Sequence, residues 1–94
     1  METRYFFDKV AIVTGATGGI GEAIVADLAA QGCSVYAIGR NAEKLNEMGQ
    51  KHLNLAGQIR WVSEDLVEKD APARIIKDVL DWKGALHILV NCAG

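Results

Sequence analysis

Val10-Ala11-Ile12-Val13-Thr14-Gly15-Ala16-Thr17-Gly18-Gly19-Ile20-Gly21 is the stretch on which the fold turns. Its first four residues are apolar without a break, as in a strand covered on both faces. Glycines follow at 15, 18, 19 and 21, and then apolar residues at helical spacing: Ile20, Ile24 and Leu28, with Ala23 and Ala30 nearby. Strand, glycine turn and helix in that order form a phosphate-binding corner. Gly15 permits the tight turn off the strand. Gly19 keeps a Cβ out of the path of a pyrophosphate, and Gly21 lets the helix pack closely on the sheet. Free N–H groups at the helix N-terminus then point at the phosphates. A glycine triplet alone is weak; its place between an apolar strand and an amphipathic helix separates it from a ligand-free turn.

Outward from this corner the pattern repeats. Gly32 stops the first helix, and residues 34–38 form a second strand. Asn41 caps a second helix, with Glu43 well placed against its dipole. Leu45, Met48, His52 and Leu53 mark one face of that helix to about Ala56, and Gly57 breaks it. Residues 59–62 make a third strand of mixed polarity, and so an edge strand. A third helix opens at Asp70 or Ala71 with Pro72 in its first turn, where the missing N–H is not needed. Ile75, Ile76, Val79 and Leu80 form its stripe, Gly84 ends it, and residues 86–90 are a fourth, apolar strand. Right-handed helical crossovers between parallel strands predict sheet order 3-2-1-4 with helices on both faces. The fold class is α/β: a truncated Rossmann-type doubly wound fold, one partial dinucleotide-binding domain over residues 1–94.

Composition narrows the function. The net charge of −2 argues against a nucleic-acid or membrane-surface role, which needs a basic face. No apolar run reaches the roughly 18 residues needed to span a bilayer. The acid at Glu2 and the lack of an apolar core near the start are unlike a secretory signal. Cys33 and Cys92 lack metal-type spacing, and the expected setting is cytoplasmic, with both thiols reduced.

Gly15-x-x-x-Gly19-x-Gly21, preceded by Thr14, resembles the cofactor loop of the short-chain dehydrogenase/reductase family. Two further stretches agree. Asp65-Leu66 follows strand three, where the family holds the adenine ring. Val90-Asn91-Cys92-Ala93-Gly94 is similar to the family's Asn-Asn-Ala-Gly motif, with Cys92 in place of the second Asn. The resemblance runs from about Asp8 to Gly94, and its general look is nearest to the 3-oxoacyl carrier-protein reductases. It implies a cofactor site made of Gly15, Thr17, Gly18, Gly19, Ile20, Gly21, Arg40, Asp65, Leu66, Asn91, Ala93 and Gly94. It also implies hydride transfer between a nicotinamide and a carbonyl or alcohol.

Strand two ends in Ile38-Gly39-Arg40. An acid about 20 residues past the loop would bind the 2′-hydroxyl of NAD. Here Gly39 stands in that place and Arg40 follows. A guanidinium pairs bidentately with a phosphate, where a carboxylate would repel it. NADP is therefore expected over NAD, although the basic residue many NADP-preferring members carry at the position of Gly18 is absent. The plainer alternative is that Arg40 is a solvated arginine at a strand end.

The resemblance places the family's catalytic Ser and Tyr-x-x-x-Lys beyond strand four, past Gly94. Tyr5 and Lys9 have that spacing, but Lys9 leads into the N-terminal end of strand one, whereas ligands of open α/β sheets bind at the carboxyl ends. Tyr36 and Arg40 share the spacing on a strand, where i and i+4 do not act as they do on a helix. His52, His87, Trp61, Trp82 and the two cysteines read as packing or surface residues. Three functions stay open: the cofactor part of an oxidoreductase whose carbonyl or alcohol substrate meets a longer form, a non-catalytic nucleotide-binding module, and an inactive truncated product. No turnover is expected from these 94 residues alone, and self-association is expected through an exposed strand-four edge.

Overall fold

The computed structural model describes residues 5–92. Its elements are β1 (Val10–Thr14), α1 (Gly19–Ala30), β2 (Ser34–Gly39), α2 (Ala42–Lys51), β3 (Ile59–Ser63), α3 (Ala71–Lys83) and β4 (Ile88–Asn91). All pairings are parallel and the order is β3-β2-β1-β4, as expected. Alternate residues of the two central strands feed two cores. Ala11, Val13, Val35 and Ala37 pack with Val25, Leu28, Leu45 and Met48 of α1 and α2. Val10, Ile12, Tyr36 and Ile38 pack with Ile75 and Val79 of α3. Period-two alternation thus sends each strand's apolar residues to both faces, and a helix covers each. Each buried Val or Leu contributes roughly 1.5–3 kcal/mol.

Four expectations shift. In α1 the buried residues are Gly21, Val25, Leu28 and Ala29, whereas Ile20 is 75% exposed. The cause is Gly21: a Cβ there would lie 2.0 Å from the Gly15 carbonyl oxygen. The bare Gly21 face lies inward against the loop, and the residues a turn further on follow it. Gly21 therefore serves the approach of helix to loop rather than helix to sheet.

The second helix stops at Lys51, short of Ala56. Gly57 N–H donates to the Ala29 carbonyl at 2.7 Å, and Val35 N–H to the Gln58 carbonyl at 2.8 Å. Those bonds draw the chain across the end of α1 and into β3, so residues 52–57 leave the helix and Leu53 is exposed. In α3 only half of the expected stripe is buried. Ala71, Ile75 and Val79 face the sheet, while Ile76 and Leu80 are each 45% exposed.

The fourth strand runs over Ile88–Asn91 rather than 86–90. Leu86 packs into the α3-side core, and ladder pairing begins only at Ile88, opposite Ala11. Because β4 is an edge, Leu89 is 67% exposed. Tyr5 and Lys9 lie at the N-terminal end of β1, as the topology requires, and Lys9 N–H closes a turn onto the Phe6 carbonyl.

Candidate cofactor site

The site begins at the carboxyl end of β1. Gly15 takes φ +63°, a left-handed conformation that costs glycine little. Ala16 N–H donates to the Ile38 carbonyl at 3.0 Å, tying the loop to β2. Gly18 is the N-cap of α1 and supplies no side-chain cap. The first amides of a helix have no intrahelical acceptor, so those of Gly19 and Ile20, at the exposed start of α1, are available to an anion. A Cβ on Gly19 would meet nothing within 4 Å. The protein therefore does not demand glycine there, and its bare surface faces open space.

Gly15, Thr17, Ile38, Gly39, Arg40, Asn41, Glu64, Asp65, Leu66, Val67 and Asn91 line one cleft of about 630 Å³. Six residues expected from sequence meet in it: Gly15, Thr17, Arg40, Asp65, Leu66 and Asn91. Gly18, Gly19 and Ile20 stand exposed at the start of α1, and Gly21 is buried beneath them. Ala93 and Gly94 lie outside the described residues.

Hydrogen bonds order the walls of this cleft. Thr14 Oγ1 donates to Asn91 Oδ1 at 2.7 Å and accepts the Cys92 N–H at 3.2 Å, locking the ends of β1 and β4 together. Asp65 Oδ1 accepts the Val67 N–H at 3.1 Å, a turn formed by a side chain on its own backbone. Arg74 reaches from α3 to Glu64 at 2.9 Å and Glu68 at 3.3 Å. Of the two carboxylates lining the cleft, Glu64 is paired with Arg74, and Asp65 accepts the amide of its wall neighbour Val67 on one oxygen. Arg40 is exposed, and its guanidinium has no ion-pair or hydrogen-bond partner among the described residues.

Sequence reasoning missed Ile38, Gly39, Asn41, Glu64 and Val67 as wall residues, and Ser63 and Arg74 behind them. No local signal marks these residues, because parallel pairing and the position of α3 assemble them. Asn41 does cap α2, accepting the Lys44 N–H at 3.0 Å.

The remaining candidates are structural. His87 Nδ1 accepts the Val10 N–H at 3.0 Å, at the end of the sheet away from the cleft. His52 pairs with Glu22 at 3.1 Å and Lys51 with the same oxygen at 3.4 Å, so α2 is bridged to α1. That acid partner of His52 lies 30 residues away in sequence. Cys33 is fully buried, and burial pushes its thiol up and away from reactivity. Trp82 tilts against Tyr36 with Arg60 and Lys83 over its ring.

A glycine turn opening a helix, beside a cleft at the carboxyl ends of parallel strands, is the arrangement of the Rossmann-like class of α/β proteins. The short chain dehydrogenase family matches residues 9–94, and the chain belongs to that family. It is 45% identical over 87 residues to an uncharacterized oxidoreductase of Staphylococcus epidermidis, covering 93% of this chain and 36% of that protein. A short-chain dehydrogenase/reductase from Mycobacterium ulcerans superposes with TM-score 0.90 at 40% identity, over 95% of this chain and 34% of its own. A metagenomic short-chain oxidoreductase solved with NADP gives TM-score 0.87 at 36% identity, over 94% and 40%. The chain therefore spans about a third of the length of the relatives it matches.

Proposed function

We propose that this chain forms the adenosine and pyrophosphate side of an NADP(H) site, in an oxidoreductase that moves hydride between NADP(H) and a carbonyl or alcohol. The observation that carries the reading is Arg40, a guanidinium without an ion-pair or hydrogen-bond partner among the described residues, in a cleft where Arg74 pairs with Glu64 and the Val67 amide occupies one oxygen of Asp65. The donor set fits the cofactor. Uncapped amides of α1 receive the pyrophosphate. Leu66 and Val67 offer apolar surface to the adenine, and Asp65 borders it. Arg40 meets the 2′-phosphate, and Asn91 stands on the ribose side, held by Thr14. When bound, the nicotinamide supplies the hydride chemistry; the residues described here bind, orient and neutralise charge.

Titration calorimetry with NADP and NAD tests this reading. Preference for NADP, lost in Arg40→Ala, is expected. Equal affinity for the two cofactors in the unmodified chain would discard the assignment of Arg40.

Among the described residues β4 is an outer strand with Leu89 exposed on it, which supports self-association of these residues. Sedimentation velocity is expected to show mass rising with concentration, and a clean monomer would count against it.

A further inference from the structure

An arginine side chain rotates freely, so its usefulness to a single phosphate depends on how firmly its backbone is aimed. Each peptide unit is planar, and a residue's direction is set by the two planes that flank its Cα. At Arg40 both planes are anchored. On the preceding side the Gly39 carbonyl accepts the Glu64 N–H at 3.0 Å. On the following side the Arg40 carbonyl accepts the Ser63 hydroxyl at 3.0 Å. The first is a backbone bond that any residue at 64 other than proline could make. The second exists only because a hydroxyl stands at the last position of β3, in register with Gly39.

We propose that Ser63 is a positioning residue for recognition of the 2′-phosphate: its hydroxyl fixes the Arg40–Asn41 peptide and so aims the Arg40 guanidinium. The proposal rests on the reading that Arg40 meets that phosphate. Ser63 itself is not among the residues lining the cleft, so it acts through Arg40. The neighbouring residue serves the same end, because Arg74 draws the Glu64 carboxylate aside and lowers its repulsion of a phosphate.

The test is calorimetry on the full chain with two probes that differ only in the 2′-phosphate: adenosine 2′,5′-bisphosphate and 5′-AMP. Ser63→Ala is expected to weaken the bisphosphate about fivefold, the scale of one neutral hydrogen bond, and to leave 5′-AMP unchanged. Ser63→Thr restores the hydroxyl and is expected to restore the preference. A purely structural role would weaken both probes alike, and that result, or no loss for either, overturns the proposal when Arg40→Ala abolishes the preference. If Arg40→Ala leaves the preference intact, or the unmodified chain has none, the reading of Arg40 fails first and the role of Ser63 with it.

Discussion

The two faces of the sheet are built from the same strands and finished differently. On one, α1 and α2 lie side by side, and Val25, Leu45 and Ala29 are almost wholly removed from water. On the other, α3 is the one helix among the described residues to pack over Tyr36, Ile38 and Val10, helped by Leu66 and Leu86, while Ile76, Leu80 and Leu89 stay exposed. An apolar residue stabilises the chain only as far as its neighbours displace water from it. Leucines of equal hydrophobicity therefore differ widely in what they contribute, and the double-helix face carries most of the packing.

The largest effect is expected where α1 meets its loop. Gly21→Ala sets a Cβ 2.0 Å from a backbone oxygen. It should cost more than the roughly 3 kcal/mol at the upper end of ordinary overpacking, enough to abolish cooperative thermal unfolding in a chain of this size. An unchanged melting midpoint would mean that the corner is looser than drawn. The faces themselves are compared by one chemistry at two places. Leu45→Ala on the closed face should cost about 2–5 kcal/mol in urea unfolding. Leu89→Ala on the open face should change stability by no more than about 0.5 kcal/mol. Similar losses at both would erase the distinction. Asn41→Ala removes the cap of α2 and should cost about 1 kcal/mol.

The smallest effects are the pH dependences, which fall at opposite ends of the scale. On the closed face, the hydrogen bond from His52 lowers the Glu22 carboxyl below its usual 4.5; partial burial works against this, and Lys51 adds to the lowering. A lowered acid stabilises the fold above its unfolded value, and that contribution fades as pH falls below about 4.5 through the folded value. On the open face, burial first and the Asp78 carboxylate second push the Tyr36 phenol up to about 12, from 10.0. The folded form then holds its proton more tightly, so stability is full below pH 10 and drains away between 10 and about 12. Urea midpoints across pH should show both slopes. His52→Ala should flatten only the acid slope and Tyr36→Phe only the alkaline one; a single variant that flattened both would contradict their separate origins.

Much of the fold was legible in the chain. An unbroken apolar run marked β1, helical spacing marked the three helices, and right-handed crossovers left one economical strand order. The glycine corner was legible because each of its requirements is local: a positive φ at Gly15, an uncapped helix start at Gly18, a missing Cβ at Gly21. The errors lay where a distant partner decides. Ile20 and Ile76 match helical spacing but meet no neighbour that buries them. The second helix ended early because Gly57 is claimed by the end of α1.

The amino-acid sequence by itself determined the element order, the sheet topology and the glycine corner, since these follow from short-range periodicity and backbone freedom. It also placed Arg40 and Asp65 near the site. Only the tertiary structure decided what those charges are able to do. It brought Arg74 onto Glu64 from ten residues away. It also set the Ser63 hydroxyl against the carbonyl of Arg40 across 23 residues of chain. The physical reason is that a charge acts on whatever lies within a few ångströms of it, and those neighbours are chosen by strand register and helix placement rather than by adjacency in the chain.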